Sequence, residues 1–176
     1  MAEPISTAEA KLHLRVDSSA DDTLIADKIA AAREWVEDYT GLVLTRREVT
    51  EQIGQFAAPT KLRAWPIDAA EPVSIVYRDV HGVEQTITDA TVRAATRPGV
   101  IYPAPAARWP SASTISGAID VSFMAGFADP ADIPPTVKQA MLLMLTAFYD
   151  GREGELFEVA EAAAKRLCRR QKRRTL

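Results

Sequence analysis

Residues 118–149 constrain the chain more than any other stretch. They read AIDVSFMAGF, then ADPADI, then PPTVKQAMLLMLTAFY: a strand, a short proline-punctuated loop and a long apolar helix. Across Asp120-Val121-Ser122-Phe123-Met124 the side chains alternate, with Val121 and Phe123 on one face and Asp120 and Ser122 on the other. Gly126 closes the strand. Pro134 and Pro135 suit a helix's first turn, where backbone N–H groups have no intrahelical acceptor. From Val137 onward the helix is hydrophobic nearly all round, so it is expected to be buried in packed protein. Its apolar run is short of the roughly 20 residues that a membrane span needs. It is therefore expected to be the core against which the other elements pack.

The segments before it supply partners. Ser6-Thr7-Ala8-Glu9 fits a capping box and predicts a short helix over 7–14, with Leu12 and Val16 turned inward. A second helix is expected over about 20–40. Its Ile25, Ile29, Ala32, Val36 and Tyr39 form one stripe, and Gly41 supplies the stop. After Gly41 the period becomes alternating. Residues 42–53 read as a strand and 61–66 as a short one. Residues 72–77 and 83–88 read as a hairpin turning at Asp79-Val80-His81-Gly82. Two short strands, 91–94 and 100–102, flank the Arg97-Pro98-Gly99 turn. A last helix is expected over 155–172, with Leu156, Ala160, Ala163 and Leu167 at heptad-like spacing.

The fold class expected is thus α+β. A helical bundle core (helices near 7–14, 20–40, 134–150 and 155–172) carries a small, mostly antiparallel β insertion over 42–126. The 176 residues suit a single domain, with a helical core from 5–41 and 133–164 and a basic C-terminal arm at 165–176.

That arm stands out by charge. It holds Lys165, Arg166, Arg169, Arg170, Lys172, Arg173 and Arg174 and no acid, whereas the other 164 residues carry 14 basic and 24 acidic side chains. Cations do favour the negative end of a helix dipole, but seven exceed what capping needs. An acidic body with a basic tail points to docking on an acidic partner or on nucleic acid.

Chemistry has no comparable signal. His13 and His81 are isolated, and neither belongs to a group with ligand spacing. Asp129 and Asp132 flank Pro130 just before a helix, where capping explains them better than acid–base work. Cys168 is the single cysteine, which excludes an intramolecular disulfide and a cysteine-based zinc cluster. Neither a glycine-rich phosphate loop nor a GxSxG elbow occurs. No catalytic residue, metal or cofactor is expected, and the chain is read as a non-enzyme. The N-terminus lacks the pattern of a secretory signal, so folding in the cytoplasm is expected.

The order of these pieces resembles one family. TAEAKLHLRVD followed by DDTLIADKIAAAREWVEDYTG, then LRAWPIDAAEPVSIVYRDVHG, then IDVSFMAGFADPADIPPTVKQAMLLMLTAFYDGRE together span about residues 5–153. This pattern is similar to that of the head–tail connector (adaptor) proteins of long-tailed bacteriophages, prophages and gene transfer agents. In the last segment the strand, the AG turn, the proline-led helix and the closing tyrosine with Arg-Glu are the most specific part. After the Arg-Glu many members end in a short leucine-containing stretch, and this chain departs from them with a charged helix and a dense basic end. The resemblance implies a structural protein of the virion neck. It would assemble in the host cytoplasm and close as a ring of about twelve copies under the portal. Such a ring would extend the DNA channel and offer a platform to neck and tail-completion proteins, with DNA passing without sequence-specific binding and no membrane involved. By analogy, the arm residues Lys165, Arg166, Arg169, Arg170, Lys172, Arg173 and Arg174 would contact the portal. The alternative is a small nucleic-acid-associated protein that binds DNA through the same tail.

Overall fold

A computed structural model describes residues 3–57, 59–114, 117–151 and 154–172. The chain divides into two compact units, Met1–Thr45 with Phe127–Leu176, and Arg46–Gly126. The stretch at 118–149 therefore spans both, and its two halves are the central elements of different units. The expectation that all other elements pack on its helix is corrected: the helices pack on it, while the strand before it is an inner strand of one of two sheets.

The first unit is helical. Helix α1 (Thr7–Leu14) starts at the capping box: the Ser6 hydroxyl accepts from Glu9 N–H at 3.2 Å and the Glu9 carboxylate accepts from Ser6 N–H at 2.8 Å. Donation from Ser6 N–H, joined by the Ser6 hydroxyl at 2.8 Å, holds the Glu9 carboxyl below its ordinary range. Ala10 is the residue α1 buries. Leu12 lies about 200° round the helix from it and is 83% exposed, contrary to the inward placement expected; Val16 is half-buried.

Helix α2 (Asp22–Thr40) begins two residues later than its sequence pattern suggests: Ala20 N–H bonds the Ser18 hydroxyl and Asp22 N–H the Ser19 carbonyl in a preceding turn, and the helical ladder starts with Ile25 N–H on the Asp21 carbonyl. Ile25, Ile29, Ala32 and Val36 are buried as expected, but Tyr39 is only half-buried and stacks on Trp35 with ring centroids 5.6 Å apart. Gly41 ends the helix at φ +67°, a conformation that favours glycine.

Helix α3 (Pro135–Tyr149) packs against α1, α2 and the last helix, α4 (Glu155–Cys168). It buries Val137, Ala140, Met141, Met144, Leu145 and Ala147 but leaves Leu142 and Leu143 half-exposed, so it is not enclosed all round. The Tyr149 hydroxyl donates to Asp21 at 3.0 Å and ties the end of α3 to the start of α2. In α4 the buried residues are Ala164 and Cys168, four apart. The inward face is thus rotated from the one expected, and Leu156 is 57% exposed. Small side chains win here because they let α4 approach α3 closely, while Phe157 meets Phe148 at 5.9 Å. The helix ends at Cys168, where the carbonyl accepts from Gln171 and Lys172 N–H groups, rather than running to 172.

Leu42, Val43 and Leu44 are buried but lie outside any strand. The Thr40 hydroxyl accepts from Leu42 N–H at 3.1 Å and the Glu37 carboxylate from Leu44 N–H at 2.6 Å. Side chains of α2 thereby take donors that a ladder would need, and the strand expected from residue 42 begins at Arg47.

The second unit holds β1 (Arg47–Ile53), β2 (Thr60–Leu62), β3 (Ser74–Arg78), β4 (Glu84–Ile87), β5 (Thr91–Arg93), β6 (Gly99–Tyr102) and β7 (Ile119–Ala125). They form a four-stranded sheet in the order β1-β7-β3-β4 and a three-stranded sheet in the order β2-β6-β5, with every pairing antiparallel. Strand β7 alternates as its sequence predicts: Ile119, Val121, Phe123 and Ala125 are buried and the residues between are not. Its register sets Phe123 opposite Val49 and Val121 opposite Ile75. The β3–β4 turn is closed by Asp79, whose carboxylate accepts from His81 and Val83 N–H at 2.8 and 3.0 Å, with Gly82 at φ +79°. The observed architecture is the α+β fold expected, with four α-helices and antiparallel sheets among the described residues.

Candidate interaction surface

Helix α4 and the turn after it carry the described part of the basic arm. Lys165 is paired with Glu161, one turn earlier, at 2.6 Å. This bond holds the Glu161 carboxyl below its usual range, with a smaller contribution from Trp35. Lys172 lies with its ammonium 4.5 Å from the centroid of the Tyr39 ring, within the range of a cation–π contact. The arm is thereby fastened to α2 along the stacked Trp35 and Tyr39. Arg166, Arg169 and Arg170 are exposed and, among the described residues, enter no ion pair. Arg173 and Arg174 lie outside the described residues.

Within the arm, Cys168 is buried, and burial pushes its thiol up to about 11. It is held as the neutral thiol, a packing residue rather than a nucleophile. The remaining candidates also resolve into structural roles. His13 hydrogen-bonds Thr146 at 3.1 Å, and Asp129 caps a short 3₁₀ turn (Pro130–Asp132) by accepting from Ala131 N–H at 2.7 Å. Trp109 stacks on Phe56 at 4.8 Å and donates its ring N–H to the Ala57 carbonyl. Among the described residues no cluster of His, Cys, Asp or Glu is arranged to hold a metal ion, and no helix is long and apolar enough to cross a membrane.

The two units differ in charge. The β unit carries 8 basic and 8 acidic side chains. The helical unit outside the arm carries 6 basic and 16 acidic ones, so it contains the whole acidic excess of the chain.

Sequence reasoning missed the apolar part of this surface. Leu156 and Val159 are 57% and 60% exposed near the start of α4, between and beside the exposed acids Glu155 and Glu158. Leu156 and Ala160 line a groove of about 240 Å³ together with His13, Leu143 and Thr146. A signal was present: Ala164 and Cys168, small side chains one turn apart, take the close-packing face of α4, which leaves Leu156 and Val159 turned outward.

A family model described as phage gp6-like head–tail connector protein matches residues 5–94, just over half of the chain. No curated protein matches it. Among solved structures, the chain is similar to a subunit in the neck of an empty gene transfer agent particle computed with C6 symmetry. The TM-score is 0.76 at 21% identity, over 100% of this chain and 95% of that one. A subunit in the neck of a native particle computed with C12 symmetry gives 0.72 at 20% identity, over 100% and 94%. A chain in the virion of the native particle gives 0.70 at 22% identity, over 98% and 92%. These likenesses establish a common fold along the whole length.

Proposed function

We propose a place in the virion neck for this chain on the premise that it belongs to the phage gp6-like head–tail connector family, whose model it matches. Its role is structural. The observation that carries the proposal is the fold shared over the full chain with subunits of neck particles computed with C6 and C12 symmetry. A ring of more than two copies needs a heterologous contact, two different patches on each subunit that close by rotation. A helical unit rich in acid, bearing a basic arm, provides two such unlike patches.

In this reading the chain forms a single structural module of residues 1–176. It closes as a ring at the head–tail junction beneath the portal, prolongs the DNA channel and supports neck or tail-completion proteins. Assembly takes place in the host cytoplasm, and the chain carries out no catalysis. An acidic helical surface suits a conduit past which DNA must slide, since it repels phosphates. The basic arm at 165–176 carries the contact with the portal. Two of its cations, Lys165 and Lys172, are used inside the subunit. Arg166, Arg169, Arg170, Arg173 and Arg174 are the ones assigned outward.

The test is a truncation placed after Cys168, because Cys168 is buried and a cut before it would disturb the helix packing. Removing residues 169–176 is expected to abolish co-sedimentation with the cognate portal ring while leaving the far-ultraviolet circular dichroism of the helices in place. Unchanged co-sedimentation refutes the arm assignment. Saturable DNA binding by the isolated full-length protein, weakening steeply with salt, would favour the nucleic-acid reading instead.

A further inference from the structure

We infer that the exposed start of α4, with the apolar groove beside it, is the seat for the arginine end of α4 on the next copy in the ring. The inference rests on the ring reading above and names the two surfaces that meet.

Helix α4 is divided by charge. Its first turn carries Glu155 and Glu158, and its last turn and the residues after it carry Arg166, Arg169 and Arg170. All five are exposed and unpaired among the described residues. The helix dipole accounts for this order of charges, but not for Leu156 and Val159, large aliphatic side chains left more than half exposed beside the acids. Nor does it account for the groove lined by Leu143, Leu156, Ala160 and His13 next to them. An apolar patch framed by carboxylates suits a partner that brings cations on long aliphatic stems, and arginine side chains have that form.

The partner is a second copy of this chain. Glu158 and Arg169 of one copy are separated by ~16 Å along the helix axis, too far to pair with each other. The ends of α4 are therefore complementary to one another but cannot meet within a subunit. Joined between subunits, the acidic end of one to the basic end of the next, they make the heterologous contact that closes by rotation. The arm then divides its work. Lys165 and Lys172 are engaged within their own subunit; of the five arginines assigned outward above, Arg166, Arg169 and Arg170 cross to the neighbour, and the portal contact narrows to Arg173 and Arg174.

A charge-swap experiment tests this on the full-length chain assembled with its cognate portal. The reading is the fraction of portals carrying a closed ring in electron micrographs. E155R/E158R and R166E/R169E/R170E are each expected to lower that fraction about tenfold or more, and the two sets combined in one chain to restore it. All five positions are exposed, so the variants should fold; thermal melting checks that they do. In a second arm, the E158C/R169C variant is treated with a short bismaleimide. A ladder of covalent multimers is expected, with none from either single variant; Cys168 is buried and stays silent. Failure of the combined swap to restore rings, or absence of the ladder while rings form, overturns the inference and leaves the ring reading intact. Loss of attached neck proteins from E155R/E158R with the ring unharmed assigns the groove to those proteins and likewise overturns it. If the unaltered chain forms no ring on the portal, the ring reading fails and this inference with it.

Discussion

Replacing Phe123 by alanine is expected to destabilise the β unit by about 3–5 kcal/mol, the cost typical of removing a fully buried aromatic side chain. Phe123 is 1% exposed and sits near the middle of β7, which is hydrogen-bonded on both sides, to β1 and to β3. Valine at position 49 faces it across the ladder and Val121 and Ala125 flank it on the same face. Backbone pairing on both sides leaves the strand little freedom to collapse into the space vacated. Small domains are held by only about 5–15 kcal/mol in all, so the variant is expected to lose much of its β structure near 37 °C. Urea unfolding followed by circular dichroism measures this. A change below about 1 kcal/mol would show that β7 is not the centre of that unit.

Glu37→Ala is the second large effect, at about 3 kcal/mol. Glu37 is 9% exposed and does two things at once. One carboxylate oxygen accepts from Leu44 N–H at 2.6 Å, and the other is 3.3 Å from the Arg33 guanidinium, which also reaches Glu3 at 3.0 Å. Alanine would leave a buried amide without its acceptor and a half-buried guanidinium short of one partner. The loss falls on the segment Leu42–Thr45, whose backbone Glu37 holds out of a ladder. Glu37→Gln keeps an acceptor for Leu44 N–H but gives up the charge, so a smaller loss is expected. Equal losses for the two variants would locate the effect in the ion pair alone. Amide hydrogen exchange at Leu44, faster in Glu37→Ala than in Glu37→Gln, checks the hydrogen bond directly.

Much of the fold is legible in the sequence because its signals are local. The Ser6–Glu9 capping box, Gly41 after α2, the prolines before α3 and the alternation of β7 each need only neighbouring residues to be read. What the sequence does not show depends on which surface an element meets. A helical wheel of α1 offers Leu12 as a core residue, yet α1 buries Ala10. In α4 the small residues win the inward face over Leu156 because close approach to α3 is worth more there than bulk. The run Leu42–Leu44 is apolar enough for a strand, but Glu37 and Thr40, several residues upstream, take its amides. The arm is likewise legible as charge. That Lys165 is consumed by Glu161 follows from spacing of four, whereas the seat of Lys172 on Tyr39 joins residues far apart in sequence and appears only in three dimensions.

The family match reaches from α1 into β5 and the shared fold reaches over the whole chain, so the family's structural role and the architecture now rest on separate observations. What the geometry adds is an allocation of surfaces. The helical unit holds the acidic excess and the arm, the β unit is balanced in charge, and two aliphatic side chains are left outward on the same helix that bears the arginines.

The most direct measurement is electron microscopy of the full-length protein mixed with its cognate portal. The result expected is a closed ring coaxial with the portal, since a heterologous contact that closes by rotation gives one, with the dozen or so copies and open channel that the family resemblance implies. Portals that remain bare at saturating protein, or that carry isolated copies without ring closure, would contradict it.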